Sequence, residues 1–509
     1  MRLFMQIICA LWIAQSLHAE DWPMWGRDET RNMVSTTAKD LPVTFDAGKK
    51  KSGSEEIDLT TTKGVKWVAK VGSQTYGNPS VAGGKVFVGT NNESPRDPKI
   101  KGDHGIVMCF DEKTGEYLWQ LAVPKLGAGK VSDWEFIGIC SSPAVEGNRA
   151  YLITNRGEVA CLDVDGMKNG NDGPYKDEGK YMAGPGKEPL QVGDKDADII
   201  WLYDMRDDLG VFPHNVSSCS PLIIDDTVFT ATSNGMDWSH TNIPAPEAPS
   251  FISLDKKTGE LLGEEASGVS KRILHCNWSS PAYGKVNGKD MIFWGGGDGW
   301  LYSFSTETEK DEDDFDVFKE YWRFDCNPPG YREKDGEPIR YATFNGPSEC
   351  ISTAIYYEGL VYMAIGQDPE HGDGIGAISC IDPSLEGTIP YEKAKWVNKT
   401  VARTVSTPSA ADGLIYITEY AGKIHCLDAK TGETQWVYDS KARVWGSTLV
   451  ADGKVYQGTE EGDLIVLQAG KEMKLLGKTH VGAPIYNSPI VANGVLYICS
   501  QTHLYAVGK

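Results

Sequence analysis

Asp368-Pro-Glu370-His371-Gly-Asp373 places three carboxylates and one imidazole within six residues. The carboxylates alone could hold calcium, and with His371 they could hold a transition metal. The spacing does not match an EF-hand loop, and a solvated acidic loop is the competing reading. The chain has nine histidines, and five of them (His104, His214, His240, His275 and His371) lie in or beside long irregular segments. Those segments also carry Trp134, Glu135, Asn215, Asp237, Asn277, Trp278, Asn345, Arg403, Arg443 and Trp445. Imidazoles, carboxylates and exposed aromatics gathered in loops are what a ligand or metal site needs. No G-x-S-x-G, H-E-x-x-H or C-x-x-C occurs, so common hydrolase, zincin and thioredoxin-like chemistries have no anchor.

A repeated unit decides which of these residues can meet. Residues 406–436 read STPSAADGLIYITEYAGKIHCLDAKTGETQW. Ser-Thr-Pro-Ser-Ala starts a short buried strand. Asp412-Gly413 is a hairpin turn, and Leu414 to Glu419 alternates as a half-buried strand. Ile424 to Leu427 forms a third strand, Asp428 to Glu433 a longer turn, and the fourth strand carries Trp436. Four strands in roughly forty residues is one propeller blade.

The opening recurs around Asn78, Ser142, Ser220, Ser280, Ser352, Thr407, Ser447 and Ser488. The long turn recurs at Asp111-Glu-Lys-Thr-Gly115 and Asp255-Lys-Lys-Thr-Gly259. The closing tryptophan recurs as Trp67, Trp119, Trp201, Trp322, Trp396 and Trp436, with Leu262 and Leu476 as apolar substitutes in the two units without one. The expected fold is all-β, an eight-bladed β-propeller of four-stranded blades over 65–509. An N-terminal strand, Val65 to Val71, pairs with the incomplete last blade and closes the ring, leaving no exposed sheet edge. Residues 20–64 are an N-terminal extension.

Strand order then sorts the loops. Segments before each inner strand and between the second and third strands share one end of the ring. The long irregular loops fall mostly there, and so do the candidate residues named above. The opposite end carries tight turns and two insertions: 165–198, rich in Gly, Lys and Asp, and the acidic 306–320. Both read as solvent loops or partner contacts.

Ser-Pro openings, Asp-Gly hairpins and Asp-x-Lys-Thr-Gly-Glu turns followed by Trp resemble the PQQ-like (quinoprotein-type) propeller repeat family. Trp22-Pro-Met-Trp25-Gly-Arg27 looks like the segment that precedes the array in secreted members. The resemblance implies one of two activities. One is a non-catalytic propeller that binds a protein, glycan or small molecule, similar to the outer-membrane assembly lipoprotein. The other is a PQQ-dependent dehydrogenase oxidising an alcohol or sugar, with PQQ and calcium as cofactors. The chain lacks the adjacent Cys-Cys pair of many alcohol-oxidising members, and the binding reading is preferred.

Net charge of −21 and a pI near 4.9 exclude nucleic acid as a partner. Arg2, an apolar run from Phe4 to Ala14, and Leu17-His18-Ala19 read as an export signal over 1–19. No later run is long enough for a membrane span. A periplasmic or extracellular monomer is expected. Ten cysteines follow the signal, mostly in apparent strands, as buried thiols or a few disulfides.

Overall fold

The computed structural model describes residues 20–508; the expected export signal at 1–19 lies outside the described residues. Seven antiparallel four-stranded units follow one another along the chain, at 80–124, 144–204, 222–264, 282–325, 355–398, 409–439 and 449–480. The eighth takes three strands from 490–507, and Val65–Lys70 pairs antiparallel with His503–Val507 to complete it. The expected all-β propeller and its closing strand are what the pairing shows. Each unit opens on a strand of three to five residues and returns through a tight hairpin. At Asp412-Gly413 both residues have positive φ (52° and 73°), the geometry of a type I′ turn.

The openings do more than start strands: their hydroxyls join each blade to the next. Ser142 N donates to Ser220 Oγ (3.0 Å), and Ser220 N to Ser280 Oγ (2.9 Å). Ser279 Oγ donates to the Ser352 carbonyl (2.7 Å), and Thr353 N to Thr407 Oγ1 (3.0 Å). Thr407 N reaches Ser447 Oγ (2.8 Å), Ser447 N reaches Ser488 Oγ (2.7 Å), and Ser488 N reaches Asn78 Oδ1 (2.6 Å). Ser80 Oγ donates to the Pro143 carbonyl (2.5 Å), so a bond spans every junction and the circle is complete.

Farther out, the closing tryptophans join the same neighbours. Trp396 is 9% exposed, and its Nε1 donates to the Ala429 carbonyl of the next blade (3.0 Å). Gly432 lies flat under that indole; a Cβ there would meet the ring at 2.5 Å, and its φ of 72° disfavours a side chain as well. Trp67, Trp119, Trp201, Trp322 and Trp436 donate to the next blade in the same way.

The two junctions without tryptophan are filled differently from the expectation. Leu262 is 38% exposed and fills nothing. Phe318 takes the place, packed against Phe229 (6.0 Å) and Phe251 (5.7 Å). It comes from the acidic stretch 306–320, which is not a free loop: it prolongs the hairpin of Trp300–Lys310 and Asp316–Asp325, and Val317 pairs with Glu264. At the other junction Leu476 is only half-buried. There the N-terminal extension covers the blade, with Phe45 packed on Tyr505 (6.3 Å) and Tyr456 Oη bonded to the Pro42 carbonyl (3.1 Å). All ten described cysteines are free thiols.

Residues 20–34 form a strap that reaches the inner part of every blade. The Glu20 carbonyl accepts from Asn493 N, Trp22 pairs with Val81, and the Pro23 carbonyl accepts from Val145 N. The Glu29, Thr30 and Met33 carbonyls accept from Tyr283 N, Tyr356 N and Val450 N. Asn32 exchanges two bonds with the backbone of Ala410. Arg31 is fully buried and serves the remaining blade: it donates to the carbonyls of Pro221 (2.9 Å), Pro281 (2.7 Å) and Trp25 (2.6 Å). Burial without a carboxylate partner pulls its pKa down to about 10.

Replacing Arg31 would leave these carbonyls without donors in the core. Arg31→Ala is expected to lower unfolding free energy by about 3 kcal/mol or more, read by chemical denaturation. A loss below about 1 kcal/mol would contradict the strap's role.

Candidate metal centre and axial pocket

The strap closes the ring from the hairpin end, and the open end leads into a cavity of about 500 Å³ on the axis. Trp25 forms its floor, held by a bond from Nε1 to Thr353 Oγ1 (3.0 Å). Ser220, Thr407, Ser447 and Ser488 of the junction circle line it; their oxygens accept from backbone N–H groups, which leaves each hydroxyl proton to donate. The walls are aromatic. Tyr76 and Tyr486 stack at 5.1 Å, and Trp445 lies 5.1 Å from Tyr486 with its Nε1 buried and without a partner. Trp278 and Trp134 line another side, with Lys130 Nζ 4.0 Å from the Trp134 ring centre.

Beside this wall the loops of two successive blades, the third and fourth, converge. His214 precedes the inner strand Leu222–Ile224, His240 lies between Thr227–Ala231 and Phe251–Asp255, and His275 precedes Ala282–Val286. Ligand-capable atoms of the three lie within 4.8 Å of one another. His214 and His275 are each 1% exposed, and His240 is exposed. Close approach depends on Gly235, where a Cβ would sit 2.6 Å from His214 Cβ and 2.7 Å from the His275 carbonyl. Asp237 shapes the turn that carries His240: it accepts from Ser239 N (2.9 Å), and its carbonyl accepts from His240 N (3.0 Å).

The ring nitrogens are oriented as metal ligands are. His214 Nδ1 lies 2.6 Å from the Met236 carbonyl and donates to it, which leaves Nε2 unprotonated, buried and without a partner. His275 Nδ1 lies 3.2 Å from Tyr341 Oη, and its Nε2 is likewise buried and unpartnered. Burial holds both rings neutral, with pKa values near 3 for His214 and 4 for His275. His371 stands next to them, 5.4 Å from His275 between ring centres, with Nδ1 unpartnered.

Carboxylates stand behind the imidazoles. Glu349 is fully buried, accepts from Cys276 N (3.1 Å) and Tyr341 Oη (2.8 Å), and is pushed up to about 8 by desolvation. Asp368 Oδ2 lies 3.8 Å from His275 Nδ1 and 3.4 Å from Asn215 Nδ2, and burial raises its pKa.

The acidic cluster of 368–373 is split. Asp368 and His371 join the histidines, Glu370 pairs with Lys130 (2.7 Å), and Asp373 is exposed. Of the other candidates, Trp134, Glu135, Asn215, Trp278 and Trp445 line the cavity. Asn277 is buried as a loop brace, bonded to the Asn234 carbonyl, Ser250 Oγ and Gly297 N. Arg403 is 2% exposed and donates to the carbonyls of Thr343, His371, Gly372 and Asp373, so it holds the His371 loop in place. Asn345 and Arg443 are exposed, the latter over the Tyr420 ring. Tyr341, Tyr76, Tyr486 and Gly235 had no signal in the sequence beyond lying in or near the long loops.

The family model described as outer membrane protein assembly factor BamB matches residues 52–166 and 392–471. The crystal structure of BamB from Moraxella catarrhalis superposes with a TM-score of 0.54 at 12% identity, covering 87% of this chain and 99% of that one. Quinohemoprotein alcohol dehydrogenase from Comamonas testosteroni gives 0.47 at 14% identity, covering 96% and 81%. The computationally designed Ika8 protein gives 0.48 at 11%, covering 86% and 98%. No curated protein matches the chain.

Arg403→Met keeps bulk and removes every donor to the His371 loop. It is expected to cost about 2–3 kcal/mol of stability and to open the segment 366–376 to protease. Arg403→Lys should restore little, because a point charge cannot reach several carbonyls at once. Wild-type resistance in both variants would contradict this role.

Proposed function

We propose that this propeller of PQQ-like repeats is an exported metalloprotein that holds a transition-metal ion through His214, His240 and His275 and presents it to an organic ligand in the axial pocket. One observation carries the reading: three imidazoles converge at the cavity wall, and the two buried ones have free Nε2 atoms. Neutral imidazoles suit zinc- or copper-class ions, and three protein ligands leave a position open. Such an ion, when bound, polarises an oxygen donor of the ligand.

The chain's own residues do the rest. The Met236 carbonyl fixes the tautomer of His214, and Tyr341 with Glu349 holds His275. The aromatic walls seat a ring and exclude water, and the floor hydroxyls donate to its polar edge. Glu135 and Asp368 at the lining disfavour anions, so the ligand is an uncharged ring compound with an oxygen donor, such as a sugar.

PQQ and calcium fit this lining poorly. PQQ is a tricarboxylate, and none of the lining residues is Lys or Arg. Calcium takes oxygen ligands, and the converging donors are nitrogens. The binding reading is therefore preferred over the dehydrogenase reading.

The test is metal analysis of the purified full chain after zinc or copper loading. About one equivalent is expected, with affinity falling at least about 100-fold in His214→Ala and His275→Ala while the circular dichroism stays unchanged. Metal uptake equal in wild type and variants would sink the proposal. Stoichiometric retention of PQQ with calcium would instead favour the dehydrogenase.

A further inference from the structure

A second group of ligands lies at the other end of the ring, at the base of the insertion in the second blade. Strand Glu158–Asp163 ends on Asp163, and the next strand, Ile199–Asp204, begins just after Asp198. The insertion between them, 165–198, was expected to be a solvent loop or a partner contact. It forms a packed flap: a short helix, Glu178–Ala183, with Met182 buried, lies against the outer strand of the first blade. Gln120 of that strand exchanges backbone bonds with Lys195 and Ala197.

The two ends of the flap and its first turn bring three acids together. Oxygens of Asp163, Asp172 and Asp198 lie within 4.8 Å of one another. Asp163 and Asp198 are fully buried, and Asp172 is exposed. Asp163 is answered by Arg149 (2.7 Å) and Asp165 N (2.8 Å). Asp198 Oδ2 accepts from Asp172 N (2.8 Å), but Asp198 Oδ1 is buried with no partner. Nearby Glu178, 1% exposed, also has a buried unpartnered oxygen, Oε1. No cation other than Arg149 faces these carboxylates among the described contacts, and burial, with repulsion from Glu178, Asp163 and Asp172 added, lifts Asp198 to about 6.

Buried carboxylate oxygens with no donor are costly unless something positive meets them. We propose that Asp163, Asp172 and Asp198 bind a calcium ion that pins both ends of the flap and its first turn. The chemistry is that of a hard cation: every donor is oxygen, and Asn169 Nδ2 lies 3.5 Å from Asp163 Oδ1, so an amide flip would offer a further oxygen. The ion closes the root of the flap and so keeps it over the strand edge of the first blade. This site is independent of the histidine cluster in place and in ligand type.

The experiment uses the full chain stripped with EGTA and titrated with calcium alone, then with terbium as a luminescent substitute. Trp119 lies against Gly166 at the start of the flap, so its excitation should sensitise bound terbium. Saturable calcium binding is expected, with a rise of a few degrees in Tm and slower tryptic cleavage at Lys168, Lys176 and Lys180. Asp172 is exposed, so Asp172→Ala should fold as the wild type does in EGTA. It should lose at least about tenfold in calcium affinity, together with the terbium signal. His275→Ala should bind calcium unchanged. Absence of calcium binding in the wild type, or equal affinity in Asp172→Ala, would overturn the proposal.

Discussion

A propeller stands or falls on closing its circle, and here closure rests on hydroxyl groups at the start of each blade. The inner strands are only three to five residues long and meet few partners in their own sheet. Their backbone N–H groups at the crowded axis must find acceptors without water. A Ser, Thr or Asn side chain from the adjacent blade supplies one at most junctions, and where it does not, a hydroxyl donates to the neighbour's carbonyl. Each bond contributes about 1 kcal/mol, but removing one acceptor leaves a buried donor unmet, which costs more. That asymmetry accounts for the recurrence of Ser and Thr at a position where an apolar residue would pack equally well.

Closure at the axis has a consequence for function. The strap of residues 20–34 consumes the hydrogen-bonding groups at one mouth of the ring, and Trp25 seals the bottom. What would be a channel becomes a blind cavity open only toward the long loops. The same hydroxyls that join blades then face the cavity with their protons free. The histidines approach from the third, fourth and fifth blades, because those blades carry the long loops before and between their inner strands.

The fold was legible in the sequence because its signals are local: alternation, Asp-Gly turns and a tryptophan recurring once per unit. What fills the two junctions without tryptophan was not legible. Phe318 and Phe45 come from segments far from the gaps they cover, and no periodicity links them. Strand parity put the long loops and their histidines at one end, but it could not tell a ligand from a brace. Asn277 and Arg403 looked like His275 in the sequence. They differ because long polar loops must satisfy their own backbone, and these two side chains are spent on carbonyls and amides. The flap at 165–198 read as a solvent loop or a partner contact from its Gly, Lys and Asp content, and its buried acids appear only once both ends are seen to meet.

The central claim is that three imidazoles from adjacent blades form one metal site. Anomalous diffraction from crystals of the zinc- or copper-loaded protein, collected on both sides of the metal edge, tests it most directly. The account predicts a single strong peak bonded to His214 Nε2 and His275 Nε2, with His240 as the third ligand and the open side facing the cavity. A loaded crystal with no peak among these rings, or with its peak at other residues, would contradict it.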